Sequence, residues 1–86
     1  MLERRVRIGS ASGLHARPAS AFVKAVAAGA VPVTVGRPDG PQVDARSILA
    51  VLALGVRQGE EVLLRSAAAE AGPVLDRLVE LLAGEG

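Results

Sequence analysis

The residue of this chain best suited to chemistry is its one histidine, His15, which stands between a glycine turn and an apolar-periodic segment. If a helix begins there, its first backbone N–H groups lack partners within the helix and carry about half a positive charge. Such a helix start favours an anion. A neutral imidazole has a lone pair that can attack phosphorus, and histidines are substantially neutral at pH 7. The position therefore indicates a phosphoryl acceptor.

The residues around His15 support this interpretation. Arg17 supplies a guanidinium that can form paired hydrogen bonds to phosphate oxygens, and Gly13 lets the backbone approach closely. Pro18 suits a first helical turn and predicts a helix beginning at His15 or Ala16, although proline disfavours α geometry at the residue before it. The simpler alternative is that His15 and Arg17 are ordinary solvated surface residues.

Two segments carry a resemblance to a known family. Residues 13–19, GLHARPA, resemble the phosphorylation-site signature of the HPr family, the histidine-containing phosphocarriers of the bacterial sugar phosphotransferase system. Residues 43–55, VDARSILAVLALG, resemble the regulatory-serine segment of that family and its short second helix. The length and the spacing of the two segments agree as well, so the resemblance covers essentially the whole chain.

The resemblance implies a specific set of roles. His15 would accept a phosphoryl group on Nδ1 from Enzyme I and pass it to sugar-specific IIA domains, a choice of nitrogen that the residues themselves leave open. Arg17 would stabilise the phosphate charge, Ser12 and Ala16 would support the phosphate, and Ser47 would be a regulatory phosphorylation site. A serine kinase or phosphorylase and transcriptional regulators would be further partners. The partner-binding face would comprise Ala16, Ser20, Lys24, Ala27, Ile48, Leu49 and Leu52.

The composition excludes several other classes of protein. The net charge is +1 and Phe22 is the one aromatic residue, so a nucleic-acid-binding role is not expected; Arg4, Arg5 and Arg7 are expected on a solvated face or sheet edge. With no cysteine and one histidine, neither disulfides nor a metal site nor a cofactor is expected. No segment is apolar enough to span a membrane or act as a signal peptide. We expect a cytoplasmic monomer with one domain, residues 1–86.

The first half of the chain predicts a strand, a helix and then a hairpin of two strands. Residues 4–8 form a strand, and a helix over residues 16–28 is ended by Gly29 in a left-handed cap. Residues 31–35 alternate as a strand with one buried face, in which Pro32 implies an edge or bulge position. The turn at residues 37–40 returns residues 41–45 as the hairpin partner. The apolar stripe of the helix consists of Ala19, Phe22, Val23 and Val26.

The second half predicts a short helix, a strand and a long helix. Ser47 begins a segment over residues 48–54 that is apolar nearly all round and stops at Gly55. Residues 61–66 form a strand, and Pro73 opens a last helix. Its stripe consists of Leu75, Leu78, Val79 and Leu82. The order β-α-β-β-α-β-α predicts an α+β fold, a two-layer open-faced sandwich in which three helices cover one face of a four-stranded antiparallel sheet. The resemblance alone implies the sheet order 1-4-2-3.

The short helix has two interpretations. A docking carrier needs an exposed apolar patch, so Ile48, Leu49 and Leu52 are expected to face outward while Val51 and Leu54 face the sheet. The alternative is that all of them are core. Ser47 is also a favoured N-cap residue, a role that needs no kinase.

Two other functions compete with the phosphocarrier. In a small hydrolase, His15 would act as base or transient nucleophile, but Asp39 and Asp44 lie in other segments and give it no convincing acid partner. In a regulatory module, the chain would act chiefly through phosphoserine-dependent binding of transcription factors. The missing acid partner weighs against the hydrolase, and the presence of His15 weighs against the purely regulatory module. A carrier with no independent turnover is therefore favoured.

Overall fold

Residues 1–84, which the computed structural model describes, form one antiparallel sheet of four strands in the order β1-β4-β2-β3 and three helices on one of its faces. This is the predicted α+β open-faced sandwich, with the predicted element order and sheet order. The elements are β1 Leu2–Arg7, α1 Ala16–Gly29, β2 Thr34–Gly36, β3 Val43–Asp44, α2 Ile48–Ala53, β4 Glu61–Ser66 and α3 Gly72–Ala83.

The pairing of β1 with β4 separates the two faces of the sheet. Val6 pairs with Val62, and both are buried beneath the helices. The alternate positions carry charged side chains on the open face, where Arg5 lies 3.3 Å from Glu61. Because strand side chains alternate between faces, Arg5 and Arg7 are solvated on this edge strand as predicted, whereas Arg4 shares the face of Val6, is half-buried and pairs with Asp76 of α3 at 2.8 Å.

The apolar stripe of α1 faces the core. Ala19, Phe22 and Val26 are fully buried, and burying a side chain of the size of Phe22 contributes about 1.5–3 kcal/mol. The predicted left-handed cap at Gly29 is wrong: Gly29 belongs to the helix, and Ala30 adopts the left-handed conformation with φ 57°. A Cβ on Gly29 would lie 2.7 Å from Val74 of α3, so this glycine serves close helix packing instead.

The second strand is shorter than its alternating pattern predicts. Val31, Val33 and Val35 are buried as predicted, but only Thr34–Gly36 pair as a strand, with β3 on one side and β4 on the other. The edge position predicted from Pro32 is therefore wrong, since β2 is an inner strand and the proline lies before it. The turn at residues 37–40 closes with a Gly40 N–H to Arg37 carbonyl bond of 3.0 Å.

The last two helices begin close to their predicted positions. Ser47 caps α2, and α3 begins one residue before Pro73, with Leu75, Leu78 and Leu82 in the core. The strand β4 occupies the predicted residues, whereas β1 begins and ends slightly earlier than predicted. Among the helices of residues 1–84, none combines the length and apolar character needed to cross a bilayer.

Candidate functional site

The candidate site lies at the start of α1, where His15 is the N-cap residue. Its backbone is extended (φ −105°, ψ −167°), and its carbonyl accepts the first helical hydrogen bond, from the Ala19 N–H at 2.8 Å. The imidazole makes no capping hydrogen bond and is exposed. The N–H groups of Ala16 and Arg17 therefore have no acceptor within α1, and Pro18 has no N–H. The helix start is open to an anion.

A buried loop residue directs His15 outward. Leu14 is 2% exposed and its N–H donates to the Val56 carbonyl at 2.9 Å. Gly13 has φ +70°, and a Cβ there would lie 2.6 Å from the same carbonyl oxygen. The close approach that glycine permits is therefore between this loop and residues 56–57, which fixes the backbone from which His15 projects.

Arg17 and Ser12 both lie near His15 in the chain and are exposed. Arg17 follows His15 by two residues in the first turn and is helical, despite the proline after it. The Ser12 hydroxyl lies 3.1 Å from that of buried Ser10, and either oxygen can be the donor. If Ser10 donates to Ser12, the Ser12 proton is left to another acceptor. The loop and the helix start thus bring a nucleophilic imidazole, a guanidinium and two backbone donors to one surface.

The predicted partner-binding face divides into an exposed part and a half-buried part. Ala16, Lys24 and Ala27 of α1 are exposed, whereas Ser20 is half-buried. α2 packs beside α1.

Within α2, Leu49 is 77% exposed and Ile48 is 36% exposed. The prediction that Leu52 faces outward with them is wrong: Leu52 is half-buried and packs against the core. Leu52 is next to fully buried Val51 on the helix and therefore lies at the boundary between core and surface. Leu54, predicted to face the sheet, is also half-buried.

Ser47 occupies the N-cap position of α2. Its hydroxyl accepts the Ala50 N–H at 3.2 Å, and its backbone N–H donates to the Asp44 carbonyl at 3.1 Å. The Asp44 carboxylate accepts the Arg46 N–H at 2.9 Å, and this hydrogen bond lowers the pKa of Asp44. The hydroxyl of half-buried Ser47 thus serves the capping role expected for serine.

One polar cluster escaped the sequence reasoning. Arg37, in the turn after β2, forms a two-point ion pair with Glu60, with Nε–Oε2 at 2.9 Å and Nη2–Oε1 at 3.3 Å. It also donates to the Leu54 carbonyl at 2.8 Å. The hydrogen bond from Arg37 holds the pKa of Glu60 below its ordinary value, helped by the Arg57 N–H. These partners lie 17 to 23 positions from Arg37 in sequence, so no local motif marks them.

No group of three histidine, cysteine or acidic side chains in residues 1–84 is arranged to hold a metal ion. The open donors at the start of α1 are backbone N–H groups, and exposed Arg17 lies in the same turn; such groups suit an anion and not a cation.

The comparisons with known proteins agree with this geometry. The family model described as the PTS HPr component phosphorylation site matches residues 2–84. A phosphocarrier protein HPr of Streptomyces coelicolor is 55% identical over 83 residues, which cover 96% of this chain and 89% of that protein. An HPr of Haloferax volcanii is 42% identical, with coverage of 94% and 92%.

Solved structures give the same fold. The crystal structure of an HPr from Bacillus anthracis has a TM-score of 0.87 at 26% identity, covering 94% of this chain and 95% of that one. The structure of HPr-C-His from Thermoanaerobacter tengcongensis has a TM-score of 0.82 at 36% identity, covering 100% and 99%.

Proposed function

Because the chain belongs to the HPr family of phosphotransferase-system phosphocarriers, we propose that His15 accepts a phosphoryl group from Enzyme I and passes it to sugar-specific IIA domains. The observation that carries this proposal is the exposed imidazole of His15 at the open start of α1. The cytoplasmic location and monomeric state expected from the sequence belong to the same proposal.

In the transfer step, an imidazole nitrogen lone pair of His15 attacks phosphorus. The new P–N bond forms while the bond from phosphorus to its leaving group on Enzyme I breaks, and the electron pair stays with that leaving group. Proteins promote such steps chiefly by positioning and by neutralising charge. The product is a phosphoramidate, labile enough to be passed on, so the isolated protein carries the group and has no turnover of its own.

Four groups stabilise the transferred charge in this proposal. The Ala16 and Arg17 N–H groups point out of the start of α1, where an anion is favoured. The Arg17 guanidinium supplies a full positive charge and paired donors. The Ser12 hydroxyl supplies a further donor when Ser10 donates to it. These groups do for the phosphoryl oxygens what a metal ion does in other phosphoryl-transfer proteins.

Docking on Enzyme I and on the IIA domains is assigned to the surface beside His15. It comprises the exposed residues of α1, Ala16, Lys24 and Ala27, with Ile48 and Leu49 of α2. Leu49 supports this assignment most, because a large apolar side chain exposed to 77% marks a surface suited to a protein partner.

Ser47 is the proposed site of regulation by a serine kinase and phosphorylase. A phosphate on its hydroxyl would sit at the start of α2, where the helix favours negative charge, so the fold would survive. Nearly two negative charges beside Ile48 and Leu49 would nevertheless oppose docking on an acidic Enzyme I surface. The modified protein could then serve as a ligand for transcriptional regulators.

The proposal is tested by incubating the protein with Enzyme I and labelled phosphoenolpyruvate. We expect a label that is stable in base and lost in acid, as a phosphohistidine is, and a folded His15→Ala variant that acquires none. Transfer of the label to a purified IIA domain completes the test. Labelling of His15→Ala with the same acid lability would refute the site assignment.

A further inference from the structure

We propose that Arg37 is a positioning residue for docking, holding α2 at the orientation in which Leu49 is presented to the partner; this inference rests on the proposed function. Arg37 touches neither His15 nor the exposed face of α2. Its guanidinium donates to the Leu54 carbonyl at 2.8 Å and to the Gly55 carbonyl at 3.3 Å. Both carbonyls lie at the C-terminal end of α2, where a cation also has the favourable sign for the helix dipole.

The other side of the guanidinium is fastened to the sheet. Glu60 receives two hydrogen bonds from Arg37 and one, at 2.9 Å, from the Arg57 N–H. The Glu60 carbonyl accepts the Ile8 N–H at 3.0 Å, beside the end of β1. Arg37 therefore connects the C-terminal end of a short helix to backbone that is hydrogen-bonded beside the ends of β1 and β4.

At the far end of α2, Leu52 and Leu54 pack against the core, and Arg37 supplies the polar contacts. The helix has six residues, of which Val51 is fully buried. A helix this short is not stable through its own hydrogen bonds. Ser47 caps its start, but its last turn contains no basic residue. The guanidinium of Arg37 supplies from a distant turn the cation and donors that the helix lacks.

The same contacts reach the loop beneath His15. Residues 55–60 connect α2 to β4, and within them the Val56 carbonyl accepts the Leu14 N–H. Arg37 binds both ends of this loop, at Gly55 and at Glu60. It thus sets the spacing between α2 and the loop that supports His15, which is the spacing a docking partner must match. Only a planar guanidinium makes these contacts together; a lysine has no such fork.

The test measures this protein as the phosphoryl acceptor of Enzyme I, comparing Arg37→Gln, Arg37→Lys and Glu60→Gln with the matched control Arg5→Gln. Arg5 is also an arginine paired with a glutamate, Glu61, but on the open face of the sheet. For the first three variants we expect KM to rise about three- to tenfold, the range set by the net loss of one ordinary intramolecular hydrogen bond, with kcat unchanged. Arg5→Gln should retain both constants.

A second readout needs no partner. Amide hydrogen exchange of Leu54 and Gly55, whose N–H groups close the end of α2, should accelerate by a similar factor in Arg37→Gln and Glu60→Gln but not in Arg5→Gln. If Arg37 instead touched the partner directly, Glu60→Gln would leave KM and exchange unchanged, and Arg37→Lys would retain KM; either result overturns the proposal. Should Arg37→Gln fail to fold, Glu60→Gln gives the decisive comparison.

The two proposals fail in different ways. Absence of label on His15 would refute the phosphocarrier assignment, whatever the exchange of α2 shows. Normal exchange and normal KM in the Arg37 and Glu60 variants, with His15 still labelled, would refute the positioning role alone.

Discussion

The starts of α1 and α2 are capped in opposite ways. At α2, Ser47 presents an oxygen to the Ala50 N–H at 3.2 Å, so the helix satisfies one of its own donors. At α1, His15 occupies the equivalent N-cap position with the usual extended backbone but offers no capping bond. α3 also lacks a side-chain cap, but it begins at buried Ala71, which has no reactive group.

The difference indicates that α1 lacks a stabilising cap at His15, the residue to which we assign the function. Capping residues stabilise a helix by about 1 kcal/mol, and histidine is not among those preferred. The open donors of Ala16 and Arg17 are instead left for charge that arrives from outside. At α2 the first-turn donor of Ala50 is occupied, which is consistent with the docking role that we propose for Leu49.

Replacing His15 gives the largest expected effect and tests whether the start of α1 lacks a stabilising cap. Both His15→Ala and His15→Asn should lose phosphoryl transfer completely, because neither has an imidazole. The free energy of unfolding of the Asn variant should exceed that of the Ala variant by about 1 kcal/mol, since the Asn side chain can accept a hydrogen bond from the Arg17 N–H. Labelling and denaturant unfolding measure the two effects. Equal stability of the two variants would show that the start of α1 is not open.

Arg17→Ala should separate transfer from stability. We expect transfer from Enzyme I to slow by roughly 10²-fold, the scale for losing one preorganised charge-stabilising donor, while unfolding changes by less than about 0.5 kcal/mol. Single-turnover kinetics and thermal unfolding measure these. Arg77→Ala, which removes an exposed arginine of α3, is the control and should retain normal transfer. A loss of transfer fully explained by unfolding would contradict the role given to Arg17.

Leu49→Glu tests whether α2 is the docking element. Binding to Enzyme I should weaken about tenfold or more, as for an interface anchor, with the fold intact because Leu49 is exposed to 77%. Leu52→Glu should instead lose stability, because Leu52 packs against the core. Calorimetric titration and melting curves distinguish the two variants. Unchanged affinity in folded Leu49→Glu would remove α2 from the docking face.

Ser47 variants distinguish the capping role from regulation. Ser47→Ala should cost about 1 kcal/mol through the lost bond to Ala50 and carry phosphate normally. Ser47→Asp keeps a capping oxygen and should stay folded but accept phosphate at His15 several-fold more slowly, because its charge opposes docking. Transfer rates at matched stability decide. Wild-type rates in Ser47→Asp would leave Ser47 as a helix cap only.

Acid pH gives the smallest effect and tests the far end of α2. Arg37 lowers the pKa of Glu60 in the folded state, so Glu60 contributes stability in full above the ordinary glutamate pKa of about 4.3. That contribution is lost as pH falls through the lowered folded value. The stability of Glu60→Gln and Arg37→Gln should therefore decline less steeply with acid, although Asp44 retains its own dependence of the same sign. Parallel pH–stability curves for wild type and variants would contradict this.

Much of the fold was predictable because the signals that matter are local. The stripe of α1, the N-cap of α2 and the residues of β4 follow from periodicity and capping chemistry within one turn or strand. The predictions at Gly29 and Pro32 were wrong because tertiary packing decided their surroundings: Gly29 allows the close approach of α3, and β4 pairs with residues 34–36 from the far side.

The site divides in the same way. His15 and Arg17 lie in one short segment whose residues predict a helix start. The contacts of Arg37, in contrast, join a turn, the end of a helix and the start of a strand that are far apart in the chain. Leu52 was misjudged because an all-apolar helix of six residues has no polar face from which to tell surface from boundary. The order of strands came from the family resemblance and not from any pattern in the residues.

The central claim, that the open start of α1 takes up phosphoryl charge, is tested most directly by the amide NMR spectrum of the protein before and after phosphorylation by Enzyme I. We predict that the Ala16 and Arg17 amide protons shift strongly downfield as they bond to the phosphoryl oxygens, while the Ala50 amide at the capped start of α2 stays within about 0.1 ppm of its position, since its acceptor is the Ser47 hydroxyl throughout. A phosphorylated His15 that leaves the Ala16 and Arg17 amides unmoved would contradict the claim.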